Sequence, residues 1–224
     1  MTTTEFIQNV NDSLRALDDD VPTTGTDEWN YWLRVAHRLK NKMYRDTKHV
    51  WTSSYAVAEL GSVSASSEPA FELEDEYLAS ANYAYVLDGD GHRTDFRIIK
   101  PEEKNFHHQE VFIAGQDPQT LYFSNEITTG QGIIGGTLYL PGYFMPDDFY
   151  GDNDTIPVDD AYWLVMATAA EIAFNDLTYE DKFADLNAKA NELWTQMVSN
   201  NRRGTYDNSR ITPTNVRRIR DTRR

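Results

Sequence analysis

The sequence predicts an α+β fold: terminal helix pairs forming an α-helical bundle, an antiparallel β lobe inserted between them, and an extended C-terminal tail. Three observations predict it. Near both ends of the 224-residue chain, apolar residues recur every three or four positions, the spacing of one helix face. Between these ends, β-branched and aromatic residues alternate with polar ones and are punctuated by glycine-containing turns. After Asn200 the periodicity stops and the charge changes sign. The segments are 1–47 (helix pair), 48–157 (β lobe and acidic loop), 158–200 (helix pair) and 201–224 (basic extended arm).

The first helix is expected over Thr4–Leu17. Phe6, Ile7, Val10, Leu14 and Leu17 share a face, and Thr3 or Thr4 supplies the N-cap. Pro22 and the acidic run before it end this helix, because proline disfavours helical geometry in the residue it follows. Thr26 caps the second helix, with Asp27 and Glu28 at the positive end of its dipole. Its apolar stripe is Trp29, Trp32, Leu33, Ala36, Leu39 and Met43, and Arg34, Arg38, Lys40, Lys42 and Arg45 fill most other positions.

Strands are expected at Val50–Val57, Asn82–Leu87, Arg93–Ile99, Glu110–Ile113, Thr120–Phe123 and Thr137–Leu140. Asp88-Gly-Asp-Gly91, between the second and third, is a strong hairpin signal. Ser62–Pro69 is a serine-rich loop, and 115–119 and 130–136 are turns. The helical period returns after the acidic loop Gly142–Pro157. Tyr162, Leu164, Val165, Ala169, Ile172 and Ala173 are apolar nearly all round, as in a buried helix. Over Tyr179–Val198, Phe183, Leu186, Ala190, Leu193, Trp194 and Met197 share one face.

Composition narrows the function. A 40% hydrophobic and 12% aromatic content is too high for a disordered chain. The absence of cysteine excludes disulfide scaffolds, thiol nucleophiles and cysteine-ligated metal centres. The most apolar run, Ala161–Ala170, is short of the roughly twenty residues of a membrane span. The opening residues lack a basic and an apolar region, so no signal peptide is expected and the protein should be soluble and cytoplasm-made. The net charge of −15 is uneven: residues 201–224 hold eight arginines and two aspartates (+6), while the remaining 13 basic and 34 acidic residues give −21. Such an acidic body disfavours non-specific attachment to DNA or anionic membranes.

No catalytic residue, metal site or cofactor is expected, and the protein is read as a non-enzyme. Gly130-Gln-Gly-Ile-Ile-Gly135 matches GxGxxG, but a strand rather than a helix follows it. Counted from Asp88, the sixth and twelfth positions of a calcium loop are Arg93 and Ile99 instead of glycine and glutamate. His107 and His108 are adjacent, and strand neighbours point to opposite faces. The acidic 147–154 loop reads as solvated.

The tail reads differently. Arg210, Arg217, Arg218, Arg220, Arg223 and Arg224 are interleaved with Ile211, Val216 and Ile219. Branched apolar anchors plus bidentate guanidinium groups suit docking on an acidic protein groove, with a nucleic-acid arm as the competing reading.

The order of segments resembles the head-to-tail adaptor (connector) proteins of tailed bacteriophages. Phe6-Ile-Gln-Asn-Val with Trp29-Asn-Tyr-Trp-Leu33 is similar to that family's N-terminal helix pair. Phe71-Glu-Leu-Glu-Asp-Glu-Tyr-Leu78 is similar to its entry to the β lobe, and Thr137-Leu-Tyr-Leu-Pro-Gly-Tyr143 to its last strand. Ile156-Pro-Val-Asp-Asp-Ala-Tyr-Trp-Leu-Val165 and Ala190-Asn191 are similar to its C-terminal helices. The resemblance implies a structural virion protein in the neck between capsid and tail: a ring, commonly of twelve copies, below the portal, through whose lumen double-stranded DNA passes without specific binding. It implies as partners the portal protein, a tail-side neck or tail protein and further copies of itself, with no membrane. The arginine-rich arm would then dock on the portal or on a neighbouring subunit. The alternatives are another tail-completion or baseplate protein, or a carbohydrate-active enzyme using the aromatic lobe.

Overall fold

The computed structural model describes residues 1–15, 20–46, 51–74, 76–80, 82–103, 109–116 and 118–221, and for 79, 80 and 202–221 it describes the backbone alone. The chain divides into two compact units: Met1–Ser53 together with Pro146–Arg224, and Ser54–Met145.

The first unit contains the helices α1 (Thr3–Leu14), α2 (Asp27–Tyr44), α3 (Ala161–Asn175) and α4 (Glu180–Asp221). A capping box opens α1. The Thr2 hydroxyl accepts from the Glu5 amide at 3.2 Å, and the Glu5 carboxylate accepts from the Thr2 amide at 2.8 Å. The cap thus falls one residue before the expected pair, because Glu5 sits three residues after Thr2. Phe6, Ile7, Val10 and Leu14 are fully buried, each contributing about 1.5–3 kcal/mol of transfer free energy. Leu17, the last member of the expected stripe, lies outside the described residues.

Thr26 caps α2 as its sequence predicts, accepting from the Trp29 amide. Asp160 caps α3 through bonds from the Tyr162 and Trp163 amides. The central helix is α3: α1, α2 and α4 all pack against it, which is why it is apolar on every side. Trp163 meets Trp194 at 5.2 Å, and Trp194 meets Trp51 at 5.4 Å, while the Trp51 indole donates to the Met43 carbonyl at 3.1 Å.

The second unit is an eight-stranded sheet: β1 (Tyr55–Ser62), β2 (Ala70–Glu72), β3 (Tyr77–Ser80), β4 (Tyr83–Leu87), β5 (Arg93–Ile99), β6 (Glu110–Ala114), β7 (Thr120–Phe123) and β8 (Thr137–Phe144). The spatial order is β1-β8-β4-β5-β6-β7-β2, with β3 also on β8. The sheet curls until the two ends of this order, β1 and β2, approach each other, giving a nearly closed barrel. Its interior is a core of its own, with Ala84, Val86, Val111, Leu121, Leu138 and Leu140 at its centre. The β4–β5 hairpin turns at Asp88–Gly91, where Gly91 takes a φ of +82° that favours glycine. Gly136 is needed for another reason. A Cβ there would lie 2.6 Å from a Val86 methyl and 2.7 Å from the Leu87 carbonyl oxygen.

Three expectations are corrected. First, the fold is not a helical bundle carrying an inserted lobe. Among the described residues it is a mixed α/β fold with an eight-stranded, nearly closed sheet and four helices. The strands β2 and β3, with three and four residues, are too short to show an alternating pattern, yet together with β1 they take the sheet most of the way to closure. A nearly closed sheet buries its own interior instead of borrowing cover from helices. Second, the sheet is not wholly antiparallel, because β5 and β6 run parallel. A parallel pair needs a crossover connection, and the one between β5 and β6 begins with the 3₁₀ turn Pro101–Glu103. Third, the expected extended tail is helical in backbone, since α4 runs on to Asp221. Loss of an apolar stripe removes the tertiary reason for a helix but not the local one. Extending a formed helix avoids the nucleation cost, and arginine is a good helix former.

Candidate interaction surface

The segment linking the sheet to α3 contains the acidic 147–154 loop, whose residues apart from Phe149 are exposed to solvent as expected, but which is also tied down by hydrogen bonds. Lys40, expected on the polar side of α2, is fully buried. Its ammonium donates to the Pro146 carbonyl at 2.6 Å, the Asp147 carbonyl at 3.0 Å and the Asp148 carboxylate at 2.6 Å. One turn earlier, His37 Nε2 donates to the Phe149 carbonyl at 2.9 Å, while its Nδ1 faces the Asp148 carboxylate at 3.8 Å. Phe149 inserts between Phe6 and His37, 5.9 and 4.6 Å from their ring centres. Burial opposes the charged form of Asp148, but the Lys40 bond and the nearby His37 prevail and hold its pKa below the usual carboxylate range. Burial lowers the pKa of His37 despite the opposing pull of Asp148 and the Phe149 carbonyl.

Farther along, the Asp152 and Asp154 carbonyls accept from the Thr4 and Thr3 amides, and the Asp154 carboxylate accepts from the Tyr150 and Gly151 amides. The Asp148 and Asp154 carboxylates therefore serve as hydrogen-bond acceptors within the fold. Among the described residues no cluster of His, Asp or Glu is placed to hold a metal ion. His107 and His108 lie outside the described residues.

Between α2, α3 and α4 lies an open groove of about 880 Å³. Leu39 and Met43 form one wall, Trp163, Ala167 and Ala170 the floor, and Phe183, Ala190 and Trp194 the other wall. Lys42, Arg45, Asp46, Glu171, Asn187 and Asn191 make a polar rim. Phe174, at the groove's end, meets Phe183 at a tilt with ring centres 5.2 Å apart and is still 68% exposed. Leu177, in the corner that joins α3 to α4, is 86% exposed. Phe174 thus carries the apolar surface of the groove out into solvent.

The aromatic side chains of the sheet are arranged otherwise. Tyr85 stacks on Tyr139 at 5.2 Å, and the Arg93 guanidinium lies 4.1 Å from the centre of the Tyr85 ring. Asp88 at the hairpin tip accepts from the His92 and Asp90 amides, and these bonds, that from His92 foremost, lower its pKa. The Gly130–Gly135 motif forms consecutive turns leading into β8.

Of the tail residues singled out by sequence, Arg210, Ile211, Val216, Arg217, Arg218, Ile219 and Arg220 stand on the α4 backbone, and Arg223 and Arg224 lie outside the described residues. Sequence reasoning missed the groove and the Lys40 anchor. The only sequence signal for the anchor was a lysine in register with Trp29, Leu33 and Ala36 on the apolar side of α2, with Asp148 too distant in sequence to pair with it by inspection. No known protein family and no curated protein matches this chain.

Proposed function

We propose that the protein is a structural component of a tailed-phage virion. It would be a head-to-tail adaptor that self-associates into a ring, of twelve copies as the resemblance implies, below the portal. The ring joins capsid to tail and lets double-stranded DNA pass through its lumen. The observations that carry this reading are the apolar groove, with Phe174 exposed at its end, and the exposed Leu177 in the corner between α3 and α4. A protein built for subunit contacts needs such a surface, whereas a lone soluble chain is penalised for it. The charge division supports the same reading. A ring of bodies each carrying −21 repels phosphate and lets DNA slide, while the +6 segment after Asn200 finds acidic protein surfaces. The arginines and branched apolar residues of that segment would dock on the portal or a neighbour as the continuation of α4, not as an extended strand.

The test is negative-stain electron microscopy of the purified protein, alone and with a tailed-phage portal protein. Rings that co-purify with portal are expected. Truncation after Asn200 should leave the body folded and abolish stable portal attachment. A monomer at every concentration that ignores portal would overturn the reading.

A further inference from the structure

The groove and the helix that walls it are charged in opposite senses on opposite sides. At roughly 100° per residue, Phe183, Asn187, Ala190 and Trp194 occupy one side of α4. Asp181, Asp185 and Glu192 fall on the opposite side, and all three are exposed. Lys189 lies at the margin of this acidic stripe, and Lys182 is drawn away, its ammonium donating to the Leu14 carbonyl at 2.5 Å.

The solvent side of α2 carries the converse. Arg34, Arg38, Lys42 and Arg45 recur at three- and four-residue spacing, all exposed, in a body that is otherwise strongly acidic. Arg38 remains 62% exposed although it donates to Glu171 at 3.0 Å, and Lys42 and Arg45 stand on the groove's rim. The basic stripe therefore borders the groove, and the acidic stripe faces away from it. At the foot of the acidic stripe, four residues before Asp181, projects Leu177.

We infer that the groove is filled by a second copy of this chain. The neighbour's α4 lays its acidic stripe along the basic stripe of α2, and the neighbour's Leu177 seats in the groove. This inference rests on the self-association proposed above and names its interface. Two features commit it to a second copy. The charges are complementary, and the apolar projection and the apolar recess belong to the same molecule. The complementary patches lie on different sides of the helical unit, so the contact is head-to-tail. Contacts of that kind propagate around a ring, whereas a self-complementary patch stops at a dimer. The opposed stripes would fix register and speed encounter, and the groove would supply apolar burial.

The experiment uses two full-length variants, R34E/K42E and D185K/E192K, read by mass photometry and sedimentation velocity, with far-UV circular dichroism to confirm the native fold. All four positions are exposed. Each variant alone should associate at least tenfold more weakly than the natural chain. An equimolar mixture should regain association, because an alternating ring pairs each reversed stripe with its new complement. Leu177→Ser, a separate single variant, should weaken assembly without altering its salt dependence. Variants that assemble like the natural chain, or a mixture that stays dissociated, overturn this interface while leaving the ring reading intact. A natural chain that is monomeric throughout overturns both.

Discussion

Replacing Lys40 by methionine removes one buried cation and keeps most of its aliphatic volume. Three acceptors lose their donor: the Pro146 and Asp147 carbonyls and the Asp148 carboxylate. Breaking a buried ion pair from one side costs about 3–5 kcal/mol, because the remaining charge is left uncompensated. Here the Asp148 side chain keeps 32% of its exposure and can recover water, so the cost shifts below that range, to about 2–4 kcal/mol. Methionine offsets part of the loss by filling the same space. At about 2–4 °C per kcal/mol for a chain of this length, the melting temperature should fall by roughly 4–16 °C. Asp148→Asn leaves the fully buried Lys40 ammonium with neutral acceptors only and no counter-charge, so it should cost at least as much, about 3–5 kcal/mol. Thermal unfolding followed by circular dichroism and by calorimetry measures both. A K40M protein melting within about 2 °C of the natural chain would refute the reasoning, and so would D148N being clearly the milder change.

Three further outcomes are expected. His37 has a lowered folded pKa, so the unfolded chain binds its proton more readily. Its contribution is complete above the unfolded value near 6.5 and is lost as pH falls through the folded one. The decline in melting temperature between pH 7 and pH 5 should therefore be smaller in His37→Gln than in the natural chain, and equal slopes would contradict the burial argument. Thr2→Ala removes the acceptor of the α1 capping box and should cost about 1 kcal/mol in chemical denaturation, with Thr2→Ser near neutral. Gly136→Ala places a methyl group against the Leu87 carbonyl and a Val86 methyl and should cost about 1–3 kcal/mol, a loss that Gly130→Ala, with open space around it, should not reproduce.

The sequence determined what depends on neighbours within a turn or a strand. The stripes of Phe6, Ile7 and Val10 and of Trp29, Trp32 and Leu33 set α1 and α2, because a 3.6-residue period and an apolar face are local properties. Thr26 set where α2 begins, and Asp88-Gly-Asp-Gly91 set the β4–β5 hairpin, since caps and turns are also local. The all-round apolar run of α3 announced a central helix.

The tertiary structure alone decided the rest. Sheet closure depends on β2 and β3, whose three and four residues carry no periodic signal and pair with strands some 50 and 65 positions away. The parallel pairing of β5 and β6 is a matter of the path between them, not of either strand's composition. Lys40 looked like a surface charge and became a buried anchor because Asp148, 108 residues on, supplies its counter-charge. The groove exists only where Met43, Phe183 and Trp194 come together from two helices distant in sequence. Each of these is a long-range juxtaposition. A residue's own chemistry limits its possible partners, but the folded path of the chain determines which of them it meets.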